Sequence, residues 1–218
     1  MSHIKIYSLT GVGSARFAHL VLCVGLTSAS AMTLSLPRAN AGTSKILDLR
    51  GDFRFLSDAP LEKIQGTAEG ARGRLVVDLA NLAKSSGTVS VRVAKMSTGS
   101  PIRDEHLRGE QWLDSEKHPK LTFAARDLSE IRTEQQGEVF VATGTVRGDF
   151  TLRGITKPLT STFTLKMKGA RAKLELSFAV ALADYEIKGR DGIIGKKVGQ
   201  RIVITGRLVG RARDEGAR

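Results

Sequence analysis

The chain has 218 residues, a single cysteine, 5% aromatic residues and a formal net charge of +12 at pH 7. One cysteine excludes an intrachain disulfide and a multi-cysteine metal site, so stability must come from an apolar core. The basic residues are scattered rather than clustered with stacking aromatic groups, which argues against nucleic acid as a partner and favours anionic ones, including anionic membrane surfaces.

Residues 1–41 have the order of a secretory signal peptide: basic residues, an apolar middle, then small residues before a cleavage site. Lys5 and Arg16 precede the apolar run 17–26, and small-x-small sequences end at Ala31 and Ala41. Cleavage after Ala41 is preferred, because polar, domain-like sequence begins only after it. An N-terminal membrane anchor is the alternative, but the many Ser, Thr and Ala residues favour removal.

We therefore expect a protein exported through this signal, with one domain over residues 42–218. Residues 1–41 carry three basic residues and no acid, which leaves a net charge of +9 for that domain.

Most of the domain has apolar residues at every second position, the pattern of strands with one buried face. A first strand is predicted near 46–55 and a hairpin is predicted around the Ser85-Ser86-Gly87 turn. Further strands are predicted near 121–126, 139–152 with a bend at Gly148, 159–168, 174–182 and 202–208. The segment 101–118 is too charged and irregular for a strand, and predicts a loop with a short helix. A sheet of about eight such strands buries its apolar face best by closing into an all-β, antiparallel barrel. The interior of a barrel of this size can be filled by its own side chains or can hold one small ligand.

Three segments resemble the sequence signature of YceI-like proteins. The first runs through Asp104-Glu105-His106-Leu107-Arg108, Trp112-Leu113-Asp114 and His118-Pro119, the second is the block 148–159, and the third, weaker one is 182–187 with 197–199. Order and spacing agree over roughly 75–210. The region 51–70 departs from the family's aromatic-rich first strand, which predicts fewer aromatic side chains around a lipid.

The resemblance implies a lipocalin-like, eight-stranded barrel of the bacterial periplasm, whose family includes members that bind a long isoprenoid chain or a related apolar molecule inside. The alternating apolar faces are what such a cavity needs. Seven inward positions are candidate ligand contacts: Val91, Phe123, Phe150, Phe163, Leu165, Leu176 and Phe178. These side chains could instead pack only against one another.

The predicted loop supplies a second set of candidates, which could hold or gate one end of the barrel. Its members are Asp104, His106, Leu107, Arg108 and Trp112. Arg103, Asp104 and Arg108 can form charge-assisted hydrogen bonds, with Leu107 and Trp112 as apolar plugs. His106 and His118 could be metal ligands, but no third nitrogen is nearby, so no metal and no cofactor is expected.

Catalytic motifs are weak in this sequence. No Gly-x-Ser-x-Gly turn presents a nucleophile, and the segment 189–197 has the wrong spacing for a phosphate loop. We therefore expect a carrier of an apolar, isoprenoid-like molecule and not an enzyme. The alternative is a packed barrel that acts through its basic surface, in envelope stress or with membrane proteins. An interior cavity above roughly 300 Å³ would favour the carrier. The sequence leaves the oligomeric state open, a homodimer included.

Overall fold

Long antiparallel strands dominate the computed structural model, which describes residues 44–59, 61–188 and 198–215. The elements are β1 (Ser44–Asp58), β2 (Lys63–Asp78), β3 (Ser86–Arg92), β4 (Met96–Ser97), α1 (Pro101–Arg108), β5 (Lys120–Gln136), β6 (Val139–Leu152), β7 (Ile155–Lys168), β8 (Arg171–Ala181) and β9 (Arg201–Asp214). Short 3₁₀ helices occupy Leu82–Lys84, Val93–Lys95 and Leu182–Tyr185. The predicted signal peptide lies outside the described residues.

The eight long strands form a closed barrel. Their order is β1-β9-β8-β7-β6-β5-β3-β2, and β2 pairs with β1 to complete the ring, while the two-residue β4 adds to β2 alone. All the ladders are antiparallel. Closure leaves no long strand at an open end of the sheet, where it would be exposed to aggregation, although β5 beyond Ala125 pairs with β6 alone. The predicted all-β, eight-stranded antiparallel barrel with one short helix is confirmed.

The period-two pattern places apolar residues inside. In β7, Ser161, Phe163, Leu165 and Met167 are buried, whereas Thr160, Thr162, Lys166 and Lys168 are exposed. A shift of one residue in register would turn the lysines inward, so the apolar interior excludes such a shift. No helix of the described residues is long and apolar enough to span a membrane.

The predicted bend at Gly148 lies within a continuous strand. Strand β6 runs without a break from Val139 to Leu152, and the irregularity lies in the facing strand β5, whose register shifts between Ala125 and Asp127. A Cβ at Gly148 would overlap the carbonyl oxygen of Ala124. The glycine therefore permits close approach of the two strands beside the irregularity in β5.

Two glycines accept aromatic rings from directly opposite positions. Phe53 faces Gly206 across β1 and β9, and Phe55 faces Gly66 across β1 and β2. A Cβ at either glycine would fall within the opposite ring. Each glycine thus provides the space in which a phenylalanine ring of β1 lies against the barrel wall.

Replacing Gly206 by alanine is expected to lower the free energy of unfolding by about 1–3 kcal/mol, because the Phe53 ring must leave its site. Gly73→Ala is the matched control, since its new Cβ would make ordinary contacts of 3.4–3.5 Å with Val89, Leu208 and Leu49. That control should be neutral or slightly stabilising. Urea unfolding followed by circular dichroism measures both, and equal losses would show that the Phe53 ring has no special dependence on Gly206.

Candidate ligand-binding site

One end of the barrel contains an apolar cavity with a volume of about 500 Å³. All eight long strands contribute inward side chains to its wall, and α1 and the loop after it cover its mouth. The volume lies within the range of roughly 300–1,000 Å³ that is typical of small-molecule sites. The interior is therefore not filled by its own side chains.

Aromatic side chains are concentrated around this cavity. It is lined by five of the seven phenylalanines that the structure describes and by the chain's only tryptophan, namely Phe53, Phe55, Phe123, Phe150, Phe178 and Trp112. Two of these rings, Phe53 and Phe55, come from the region with little likeness to the family signature, and both point inward. That the lining has fewer aromatic side chains than in other family members stays a prediction.

Part of the wall is a connected row of aromatic rings. The ring centroids of Phe53 and Phe178 are 6.5 Å apart, those of Phe178 and Phe150 5.7 Å, and those of Phe150 and Tyr185 5.8 Å. All three pairs are edge-to-face, the arrangement that the quadrupoles of aromatic rings favour. These contacts hold the rings in place and give the cavity a defined shape.

The buried hydroxyl groups of the wall have hydrogen-bond partners in the protein. The Ser161 Oγ lies 2.9 Å from the carbonyl oxygen of Thr162 and 3.1 Å from that of Ser177. The Ser57 Oγ accepts a hydrogen bond of 2.8 Å from the backbone N–H of Gly199. Because these groups are satisfied within the wall, they place little demand for polar atoms on a ligand.

Helix α1 is anchored at the mouth by a carboxylate. Asp104, only 8% exposed, accepts hydrogen bonds from the Thr98 backbone N–H at 2.5 Å, the Thr98 hydroxyl at 2.6 Å and the Ser97 hydroxyl at 2.7 Å. Burial acts to raise the pKa of Asp104, but these hydrogen bonds and the charge of Arg108 outweigh it and hold the pKa below its ordinary value. Arg108 also donates to the carbonyl oxygen of Met96 at 2.9 Å.

A salt bridge joins α1 to the segment before β2. The Arg103 Nη1 lies 2.5 Å from the Glu62 Oε1, with both side chains 36% exposed. The Nε of Arg103 is buried and has no hydrogen-bond partner among the described residues. Arg103 also lines the cavity. An unused donor is therefore held at the mouth of an otherwise apolar space.

Arg153, in the turn between β6 and β7, ties together two other segments at this end. Its guanidinium donates to the carbonyl oxygen of Glu186 at 2.7 Å and to that of Glu110 at 2.9 Å. In the same turn Gly154 has a φ of +74°, and the ring of His118 lies where its Cβ would be. A side chain at Gly154 would be strained and would also displace His118.

The predicted cavity residues fall into two groups. Val91, Phe123, Phe150, Leu176 and Phe178 line the cavity, whereas Phe163 and Leu165 do not. The latter two line a second space of about 70 Å³ towards the other end of the barrel. Alternation shows which face of a strand is inward but not how far along the barrel a residue lies, and successive inward residues are roughly 6.6 Å apart. Direct ligand contact at the first five stays a prediction.

The predicted loop residues divide in the same way. His106, Leu107 and Trp112 line the cavity, while Asp104 and Arg108 hold α1 in place from outside it.

Sequence reasoning missed several lining residues: Phe53, Phe55, Ile64, Met96, Ile202 and Ile204. The alternation in β1 and β9 was the available signal. Within the described parts of the chain, no three His, Cys, Asp or Glu side chains are grouped so that they could hold a metal ion.

A closed, eight-stranded antiparallel barrel with an apolar cavity at one end has the architecture of a lipocalin-like barrel. The sequence profile of the family described as YceI-like domain matches residues 49–209 of this chain. The chain is therefore a member of the YceI-like family. The match begins well before residue 75, so the divergent first strand belongs to the family domain as well.

Known proteins agree with this assignment. A UPF0312 protein of Photorhabdus laumondii is 29% identical over 193 residues, which cover 84% of this chain and 95% of the relative. The crystal structure of Burkholderia cenocepacia BcnA aligns with a TM-score of 0.62 at 18% identity, over 73% of this chain and 96% of that one. A polyisoprenoid binding domain from Saccharophagus degradans aligns with a TM-score of 0.58 at 13% identity, over 78% and 98%. At these identities the two structures support the fold alone.

Tyr185 provides a titration test of this end of the barrel. Burial, together with the charge of Asp184, raises its pKa to about 12 from an ordinary value of 10.0. Protein that begins at residue 42 has no other tyrosine, because the second one is Tyr7. Absorbance at the phenolate band should therefore show one transition near pH 12 in the folded protein and near pH 10 in denaturant.

Because the folded-state pKa of Tyr185 is the higher one, its contribution to stability is fully present below pH 10 and is lost as the pH rises through about 12. A folded-state transition near pH 10 would mean that the phenol is exposed to solvent, contrary to its exposure of 2%.

Proposed function

We propose that this protein is an exported carrier that encloses an apolar, isoprenoid-like molecule in the cavity of its barrel. The observation that carries the proposal is the aromatic-lined cavity of about 500 Å³. Export is supported by the order of residues 1–41, which is typical of a secretory signal peptide. The binding of polyisoprenoid by a structurally similar domain from Saccharophagus degradans supports the ligand class.

The cost of an apolar void favours an occupant. Cavity volume that stays empty in a protein core costs roughly 24 cal/mol per Å³, and apolar wall that stays in contact with water is also unfavourable. An apolar ligand would offset this cost and would gain roughly 25 cal/mol for each Å² of its own surface removed from water.

The polar end of such a ligand would lie at the mouth. Arg103 has a buried Nε without a partner there, and His106 lines the same region. A hydroxyl, carbonyl or phosphate oxygen could accept a hydrogen bond from this Nε, while the tail lies among the phenylalanines. The rest of the wall is mostly apolar, so shape and apolar contact would decide affinity.

Helix α1 would act as a gate in this function. Its salt bridge between Arg103 and Glu62 is half-exposed, and pairs of this kind contribute little to stability. Asp104, the next residue along the helix, is held by three hydrogen bonds. The helix would therefore open by breaking the weaker contact first, and Asp104 would act as the hinge.

Solvent extraction of purified protein tests the proposal directly. Protein purified from bacteria that express the full chain is expected to yield, on extraction and mass spectrometry, an apolar compound in near-stoichiometric amount. A protein of full stability that contains no such compound and binds neither farnesol nor geranylgeraniol would contradict the carrier hypothesis.

A matched pair of substitutions then locates the ligand. Phe178→Ala removes a ring from the main cavity, and Phe163→Ala removes one from the smaller space. Phe178→Ala is expected to weaken geranylgeraniol binding about tenfold or more through lost apolar contact, measured by the fluorescence of Trp112, while Phe163→Ala should leave affinity within about threefold. Leucine at the same two positions gives the same comparison if either alanine variant fails to fold. Equal effects at both positions would exclude the main cavity as the site.

A further inference from the structure

The strand register brings basic residues together on the outer wall, away from the cavity. One row of directly opposite positions crosses β7, β8, β9, β1 and β2 and consists of Lys166, Lys173, Val209, Arg50 and Arg72. The next row consists of Lys168, Arg171, Arg211, Asp48 and Arg74. The two rows hold eight basic residues and one acid.

Like charges therefore face one another directly. Lys166 lies opposite Lys173, and Arg171 lies opposite both Lys168 and Arg211. Pairs of this kind destabilise a sheet, whereas opposite charges at the same positions would stabilise it. Folding stability alone gives no reason for this arrangement.

Few acids offset these charges. Glu175 pairs with Lys173 at 2.6 Å and Glu138 pairs with Lys168 at 3.0 Å. Among the described residues, no carboxylate lies within ion-pair distance of Lys166, Arg171 or Arg211. The hydrogen bond from Lys173, with the charges of Lys173, Arg207 and Lys166, holds the pKa of Glu175 below its ordinary value, as expected where positive potential predominates.

The densest part of this wall is small. On β7, β8 and β9, five cations lie in two rows that are roughly 7 Å apart, across strands roughly 5 Å apart. Val209 lies among them and is 51% exposed. Neither of the two rows, over all five strands, contains an aromatic side chain on which a base could stack, which disfavours single-stranded nucleic acid. A cluster of cations around an exposed apolar residue fits the interface of an anionic lipid bilayer.

We propose that the outer face of β7, β8 and β9 around Val209 docks the protein onto an anionic phospholipid membrane. This surface is independent of the cavity, so the proposal goes beyond the carrier function and does not rest on it. The phosphates of the lipid headgroups relieve the repulsion between the like-charged pairs. Val209 contacts the apolar edge of the headgroup layer.

Vesicle binding tests the docking surface. Protein purified after expression of the full chain is mixed with vesicles of equal parts phosphatidylglycerol and phosphatidylcholine, or of phosphatidylcholine alone, and sedimented. We expect salt-sensitive binding to the anionic vesicles only. The triple variant Lys166→Gln, Arg171→Gln, Arg211→Gln should bind more than tenfold more weakly, since each basic residue near such a surface contributes about fivefold.

A variant with the same change in net charge serves as the control. Lys157, Arg132 and Arg147 are also exposed, lie elsewhere on the wall and have no ion pair within the described residues. Their replacement by glutamine should change binding less than threefold. The wall variant should also melt at the same or a higher temperature than the wild type, because like-charge repulsion is removed.

Three results would overturn the proposal: no binding to anionic vesicles, equal losses in the two triple variants, or binding to soluble dextran sulfate as tight as to vesicles at equal charge. The single variants Arg171→Gln and Arg147→Gln repeat the comparison if a triple variant does not fold. Ligand recovered by solvent extraction should be unchanged in every wall variant, which separates failure of this proposal from failure of the carrier function.

Discussion

The closed ladder of backbone hydrogen bonds is the constraint on which the rest of this molecule depends. Pairing of β1 with both β9 and β2 closes the ring, so the wall is held by main-chain contacts around its whole circumference. A domain that relied on side-chain packing alone could not leave about 500 Å³ of its interior unfilled. The wall supplies the rigidity that a packed centre supplies elsewhere, and a ligand-sized space becomes compatible with a stable fold.

The sequence motifs that resemble the family signature come together at one end of the barrel. Asp104 anchors α1, Trp112 lines the cavity, Arg153 joins two loops, and Tyr185 packs against Phe150. These residues are far apart in the chain but all lie where strands end and connections begin. Strand positions have only to be apolar or polar in alternation, whereas the mouth needs particular donors, acceptors and ring shapes. This difference explains why the recognisable residues belong to the loops and turns.

Alternation was sufficient to predict the fold, because period two assigns each residue to a face and closure follows from the number of strands. It was insufficient for the site. Phe163 and Phe178 have the same periodicity, yet only Phe178 lines the main cavity, since depth along the barrel depends on strand register, which the sequence does not encode locally. Phe53 and Phe55 were missed because their space comes from Gly206 and Gly66, which are close only after the strands have paired.

The two faces of the same strands can serve different purposes because they are nearly independent. In β8, Leu174 and Leu176 face the interior, while Lys173 and Glu175 face solvent one residue away. A change in the outer row leaves the packing of the inner row intact, so an exposed pair such as Lys166 and Lys173 can tolerate repulsion as long as the ladder beneath it holds. In the two proposals made above, the interior would select a ligand by shape and apolar area, and the exterior would select a membrane surface by charge. A barrel wall that is one strand thick is sufficient to keep the two kinds of recognition apart.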